Sequence, residues 1–132
     1  MPKAEGLSLP FEDAGHIRSD LLETIPYEGN EQTIRLHYPE FSAVCPFSGL
    51  PDIAVVDVSY IPSDRIIELK SLKYYYVSFR NVGIYQEDAT DRIYKDLKSV
   101  LDPRALYVRT EYNVRGGIGA VCEMGNKAKE EK

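Results

Sequence analysis

Cys45 stands alone in the stretch Pro39-Glu-Phe-Ser-Ala-Val-Cys-Pro-Phe-Ser-Gly-Leu-Pro-Asp52. Its prolines and Gly49 make this a stiff loop without regular structure. A thiol held in such a loop suits a nucleophile better than a packing residue. Asp52 ends the same loop. A thiolate and a carboxylic acid brought together add to an unsaturated carbon and protonate the atom beside it. A turn residue ahead of a strand is an equally good reading of Asp52 from spacing alone. Further on, Glu68-Leu-Lys-Ser-Leu-Lys73 sets two ammonium groups three residues apart, on one face of a helix. Lys70 and Lys73 read either as a solvated face or as a small anion site. The stretch closes, after a glycine turn, with Gln86-Glu87.

The elements that must position these groups follow from hydrophobic period. Residues 1–30 are broken by Pro2, Pro10 and Pro26 and read as an arm, with a short helix expected around Ile17–Ile25. Residues 31–38 alternate, with Ile34, Leu36 and Tyr38 on one face and Thr33, Arg35 and a solvated His37 on the other, as in a half-buried strand. Residues 53–61 form a second strand with Ala54, Val56, Val58 and Tyr60 inward. Leu69, Leu72, Tyr76 and Phe79 predict one helix stripe; Ala89, Ile93, Leu97 and Val100 or Leu101 predict another, stopped by Asp102-Pro103. Leu106, Val108, Thr110 and Tyr112 alternate in a third strand. After Gly116-Gly117 comes a fourth, with Ile118, Ala120 and a buried Cys122 on one side. The order is ββααββ, an α+β fold with a mostly antiparallel four-stranded sheet and both helices on one face. The core domain spans 31–124 and a charged tail 125–132. Bare sheet edges predict association of copies.

The whole chain narrows the function classes. Its 132 residues form one domain, with 43% hydrophobic and 28% charged residues. A net charge of -5 argues against a nucleic-acid surface. No apolar run is long enough for a membrane span and no signal peptide opens the chain, so the cytoplasm is expected. Two cysteines fit a reducing compartment, with a Cys45–Cys122 bridge left open. Cys45, Cys122, His16 and His37 lack the close paired spacings of structural zinc sites, and no metal is expected. There is no Walker A loop, and no Gly-x-Gly-x-x-Gly turn follows a strand.

Val44-Cys-Pro with Gly49…Pro-Asp52, Glu68-Leu-Lys-Ser-Leu-Lys73, Phe79-Arg-Asn81, Glu87-Asp88 and Arg115-Gly-Gly117 together resemble the short, single-domain 7-cyano-7-deazaguanine reductases. The likeness runs from about Thr33 to Ile118. It implies the tunnelling fold, assembled into a multi-subunit barrel of two pentamers with sites between subunits. It also implies a four-electron reduction of a nitrile to an amine by two NADPH, in queuosine biosynthesis. By this resemblance Cys45 forms a covalent thioimide and Asp52 protonates the nitrogen. Ile67, Glu68, Leu69, Gln86 and Glu87 contact the 7-deazaguanine substrate, while Lys70, Lys73 and Arg115 are candidates for the cofactor phosphates. Gln86 departs from a position often histidine in the family. Glutamine positions but carries no proton at neutral pH, which removes a proton relay there and keeps a positioning role. Two competing readings are an amidinotransferase of the same fold acting on the nitrile in tRNA and a non-catalytic purine or pterin binder. The Glu-x-Lys-x-x-Lys helix favours the reductase over the first, and Cys45 favours an enzyme over the second.

Overall fold

The structure, a computed structural model, describes residue 3 and residues 5–127. The expected tail therefore lies outside the described residues beyond Lys127. Four long antiparallel strands form the sheet, in the order β2-β3-β5-β6: β2 is Ile34–Val44, β3 Pro51–Ile61, β5 Ala105–Arg115 and β6 Ile118–Gly125. Short strands β1 (Thr24–Pro26) and β4 (Arg65–Ile67) make a separate antiparallel ribbon. Helices α1 (Leu69–Val77) and α2 (Gln86–Leu101) follow β4. Among the described residues no helix is long and apolar enough to cross a membrane.

The strand period is obeyed where it was clearest. Ala54, Val56, Val58 and Tyr60 of β3 and Leu106, Val108, Thr110 and Tyr112 of β5 are all buried. They meet Ile93, Leu97 and Leu101 of α2 in one core. Because β3 and β5 are the two central strands, their inward residues are covered along the whole length. The inward hydroxyl of Thr110 is satisfied by Thr90 of α2, at 2.6 Å. Asp102 ends α2 in the left-handed conformation, φ 43°, as helix C-termini often do.

Four expectations needed correction. The strand read as ending at residue 38 continues through Pro39 to Val44. A register shift between Tyr38 and Phe41 moves the buried set from Ile34, Leu36 and Tyr38 to Phe41 and Ala43. Such a bulge inserts one residue and inverts the parity, so a period-2 reading stops there. The expected helix around Ile17–Ile25 is two single turns of 3-10 helix, Ala14–His16 and Ser19–Leu21, followed by β1. Its buried residues, Ile17 and Leu22, are not spaced for one α-helical face. Leu69 does not belong to the α1 stripe: it is 60% exposed, and Tyr75 takes the buried place beside Leu72 and Tyr76. Finally, Ile118 is 74% exposed and Cys122 only half-buried, because β6 is an edge strand with little above it.

Candidate active site

Cys45 follows the last residue of β2, and a tight turn returns the chain to β3. The Cys45 N–H donates to the Leu50 carbonyl (2.9 Å) and Gly49 N–H donates back to the Cys45 carbonyl (2.9 Å). Gly49 has φ 72°, a conformation that glycine adopts without a Cβ penalty. The turn leaves the backbone N–H groups of Ser48 and Phe47 facing the sulfur, and they pull the Cys45 thiol below its ordinary pKa. Partial burial and the Asp52 carboxylate oppose them. The net effect favours thiolate, the reactive form, in a half-buried position open to a small molecule.

Asp52 is the second residue of β3 and is buried, on the helix-facing side with Ala54. It is therefore a strand residue, held in place by the sheet rather than by the loop. Arg115, the last residue of β5, donates through Nη1 to the Asp52 carboxylate (2.5 Å) and to the Pro51 carbonyl (2.6 Å). A register shift between Tyr112 and Arg115 turns the arginine to this side. Arg115 is thus committed to orienting Asp52 and is not a free cation. Lys70 and Lys73 are exposed and have no ion-pair partner among the described residues, so they fit an anionic phosphate group better.

The residues ahead of α2 are tied to the same end of the sheet. Val44 N–H donates to the Val82 carbonyl (3.0 Å) and Ile84 N–H to the Val44 carbonyl (3.2 Å). Gln86 and Glu87, in the first turn of α2, thereby start at the same end of the sheet as Cys45 and Asp52. Tyr112 rises from β5 into this cluster. Burial first, then the charges of Cys122, Asp52 and Glu87, push its phenol well above its ordinary pKa, and its buried hydroxyl has no hydrogen-bond partner among the described residues. Phe47 and Tyr85 meet edge to face at 5.9 Å and stay exposed, forming an aromatic rim beside the Cys45 turn. Neither Tyr112 nor this rim was singled out from sequence. Tyr112 looked like one more member of an apolar alternation, and Phe47 and Tyr85 fit no helical or strand stripe.

The other expected contacts lie elsewhere. Val44 pairs with Pro51 at one end of the β2–β3 ladder, and Ile34 pairs with Tyr60 at the other. Ile67 is buried beside that second end, its N–H donating to the Tyr60 hydroxyl (3.1 Å). Glu68 caps α1, its carboxylate accepting from Lys70 N–H (2.7 Å) and Ser71 N–H (2.8 Å). Leu69 and Lys73 line a groove of about 270 Å³ with Leu36, Tyr38 and Tyr76. At about 3.3 Å per residue, the length of β3 puts the two ends on the order of 30 Å apart. One chain thus carries two groups of candidate residues, Cys45–Asp52–Gln86–Glu87 and Ile67–Glu68–Leu69–Lys70–Lys73, at opposite ends of its sheet.

Residues 51–131 match the family described as QueF-like protein. An NADPH-dependent 7-cyano-7-deazaguanine reductase of Thermotoga petrophila is 55% identical, covering 96% of this chain and 93% of that protein. A reductase of the same name from Chlorobium luteolum is 46% identical, covering 85% of this chain and 98% of its own length. The crystal structure of the archaeosine synthase QueF-Like in the apo form superposes with a TM-score of 0.65 at 18% identity, covering 79% of this chain and all of that one. At that identity the likeness concerns the fold, and the fold is the tunnelling type expected from the sequence. With a family match over more than half its length and relatives this similar from end to end, the chain belongs to the QueF-like family.

Proposed function

We propose that this chain is an NADPH-dependent oxidoreductase that converts the nitrile of 7-cyano-7-deazaguanine to an aminomethyl group, in queuosine biosynthesis. The observation that carries this reading is a half-buried thiol in a hydrogen-bonded turn that leads directly to a buried carboxylate, Asp52, held by Arg115. That pairing suits addition to a nitrile. Cys45 sulfur bonds to the nitrile carbon, the S–H bond breaks, and the proton passes through the Asp52 carboxylate to the nitrile nitrogen. The product of this step is a thioimide, and Arg115 keeps Asp52 facing it. Two NADPH, bound in turn, would supply one hydride each, which with two protons complete the four-electron reduction. Cys45 is released as thiolate. Purified protein should oxidise NADPH only when the nitrile base is present, two NADPH per amine formed, as measured by absorbance and mass spectrometry. NADPH oxidation without the nitrile, or none with it, overturns the reading.

Glu87 is the specificity residue in this proposal. A guanine-type edge presents N–H donors, and an ionised carboxylate is the acceptor-only group that complements them. Leaving such donors unpaired costs roughly 1–3 kcal/mol. Glu87→Ala is expected to weaken binding of the base at least about tenfold, measured by calorimetric titration. Lys70 and Lys73 hold the cofactor phosphates. Lys70→Ala with Lys73→Ala is expected to raise the Michaelis constant for NADPH and leave the rate at saturation near wild type. An unchanged constant returns both lysines to a solvated face.

The two separated groups of residues make one site where copies meet, with the Cys45 end of one chain against the Glu68 end of the next. The bare outer edges of β2 and β6 suit edge-to-edge addition into a barrel. A decamer of two pentamers in the cytoplasm is the assembly proposed, and light scattering measures its mass. Such an arrangement leaves Glu68 as the cap of α1 while the rim of that helix reaches a neighbour's substrate. An amidinotransferase reading has only an 18% identical fold likeness behind it. A simple binding module has no use for a thiol shifted toward thiolate.

A further inference from the structure

The segment ahead of the first 3-10 turn lies across the back of the nucleophile turn. Leu9 N–H donates to the Ser48 carbonyl (2.8 Å), and Glu12 N–H donates to the Asn81 carbonyl (2.8 Å). Gly83 N–H donates in return to the Glu12 carbonyl (2.8 Å), and Glu12 and Val82 form a parallel bridge. Val82 is itself bonded to Val44, the residue before Cys45. Residues 9–12 therefore bind both chain segments that frame Cys45.

The fit is tight on both. A Cβ added at Gly49 would lie 2.3 Å from the Leu9 carbonyl oxygen, and one added at Gly83 would lie 2.2 Å from the Phe11 ring. The two glycines let the segment approach this closely. Burial alone does not explain its place, since Leu9 and Phe11 remain 42% and 37% exposed. Backbone hydrogen bonds at fixed points hold it there. One of those points is Ser48, whose own N–H faces the Cys45 sulfur.

We propose that residues 9–12 are a positioning strap for the nucleophile, and that Leu9 is its key residue. By fixing the Ser48 carbonyl, the Leu9 N–H keeps the amides of Phe47 and Ser48 aimed at Cys45. With the strap loosened the turn rotates, the sulfur loses donors, and the thiol returns toward its ordinary value of about 8.5. The charged groups around the sulfur all oppose thiolate or are already engaged. Asp52 of β3 is held by Arg115 of β5, Glu12 of the strap pairs with His16 at 2.6 Å, and Glu87 and Asp88 sit in the first turn of α2. The stabilising partners are therefore the amides of Phe47 and Ser48 and the Ser48 hydroxyl, all on the turn that the strap holds. The catalytic consequence rests on the reductase reading; the effect on the thiol does not.

The test uses the full chain with Leu9→Pro, which deletes the donor N–H, and separately Gly83→Ala. Gly83 needs no left-handed backbone, so its methyl displaces Phe11 without straining the turn. The rate of Cys45 alkylation by iodoacetamide is followed against pH, with peptide mass spectrometry separating Cys45 from Cys122 and circular dichroism reporting the fold. The expected result is an upward shift of the Cys45 midpoint by about one pH unit. That shift cuts the thiolate fraction about tenfold below the midpoint. In NADPH oxidation assays kcat falls with it, while the Michaelis constant for NADPH is unchanged. A wild-type alkylation profile in both folded variants overturns the strap. A shifted profile in a protein that reduces no nitrile would keep the strap and refute the reductase reading.

Discussion

Cys45→Ala is expected to abolish nitrile reduction, by on the order of 10⁴-fold or more, as loss of a catalytic nucleophile does elsewhere. The same variant should form no adduct with the nitrile base, because only a sulfur at this position makes the C–S bond. The fold should survive. Cys45 is half-buried, and the hydrogen bonds that shape its turn come from the backbone N–H and carbonyl, which alanine keeps. Intact-protein mass spectrometry after incubation with the nitrile is the measurement. Wild-type protein gains the mass of the base and the variant does not. An adduct that persists in Cys45→Ala would move the nucleophile to another residue. The pH dependence has a definite sign. A thiol held below its ordinary value keeps adduct formation effective as pH falls below the usual thiol range of about 8.5.

Asp52→Asn is expected to slow adduct formation by about a hundredfold or more, the usual cost of losing a general acid. Asparagine retains an oxygen that accepts from Arg115, so the ends of β3 and β5 should stay joined. It cannot relay the thiol proton to nitrogen, however. Substrate affinity should change little, because Glu87 and the aromatic rim are untouched. Single-turnover absorbance of the thioimide separates the two effects: the amplitude reports binding and the rate reports proton transfer. Wild-type rates would leave Asp52 only the task of holding Arg115. An accompanying loss of urea stability would show that the ion pair contributes to the fold as well.

The most legible parts of this chain were those whose pattern repeats within one element. The inward residues of β3, the inward residues of β5 and the Ala89–Ile93–Leu97–Leu101 stripe of α2 are where period alone placed them. Such elements are buried on one face along their whole length, so each residue's environment follows from its parity or helical phase. Edges were less legible. Leu69 and Ile118 look like core residues by spacing, yet both stay largely exposed. Cys122 is only half-buried. At Pro39–Glu40 the alternation breaks because a bulge admits one extra residue, and sequence carries no marker for which residue the ladder skips.

What the sequence determined by itself was the order of the four long strands and two helices, a turn at Cys45, and the family resemblance that 55% identity then bore out; the β1–β4 ribbon was not legible in it. These depend on residue type and on neighbours a few positions away. Tertiary structure alone decided which distant residues share a site. Arg115 reaches Asp52 because β5 lies beside β3 and shifts register at its end. Glu87 reaches the Cys45 end because residues 82–84 bond to Val44. Glu68 caps its own helix at the far end of the sheet. Leu9 lies against Ser48 across a gap in sequence that no local preference bridges. The physical reason is common to all four. Strand pairing and backbone hydrogen bonds between remote segments are fixed by the packing of the whole sheet, and no short window of sequence contains that information.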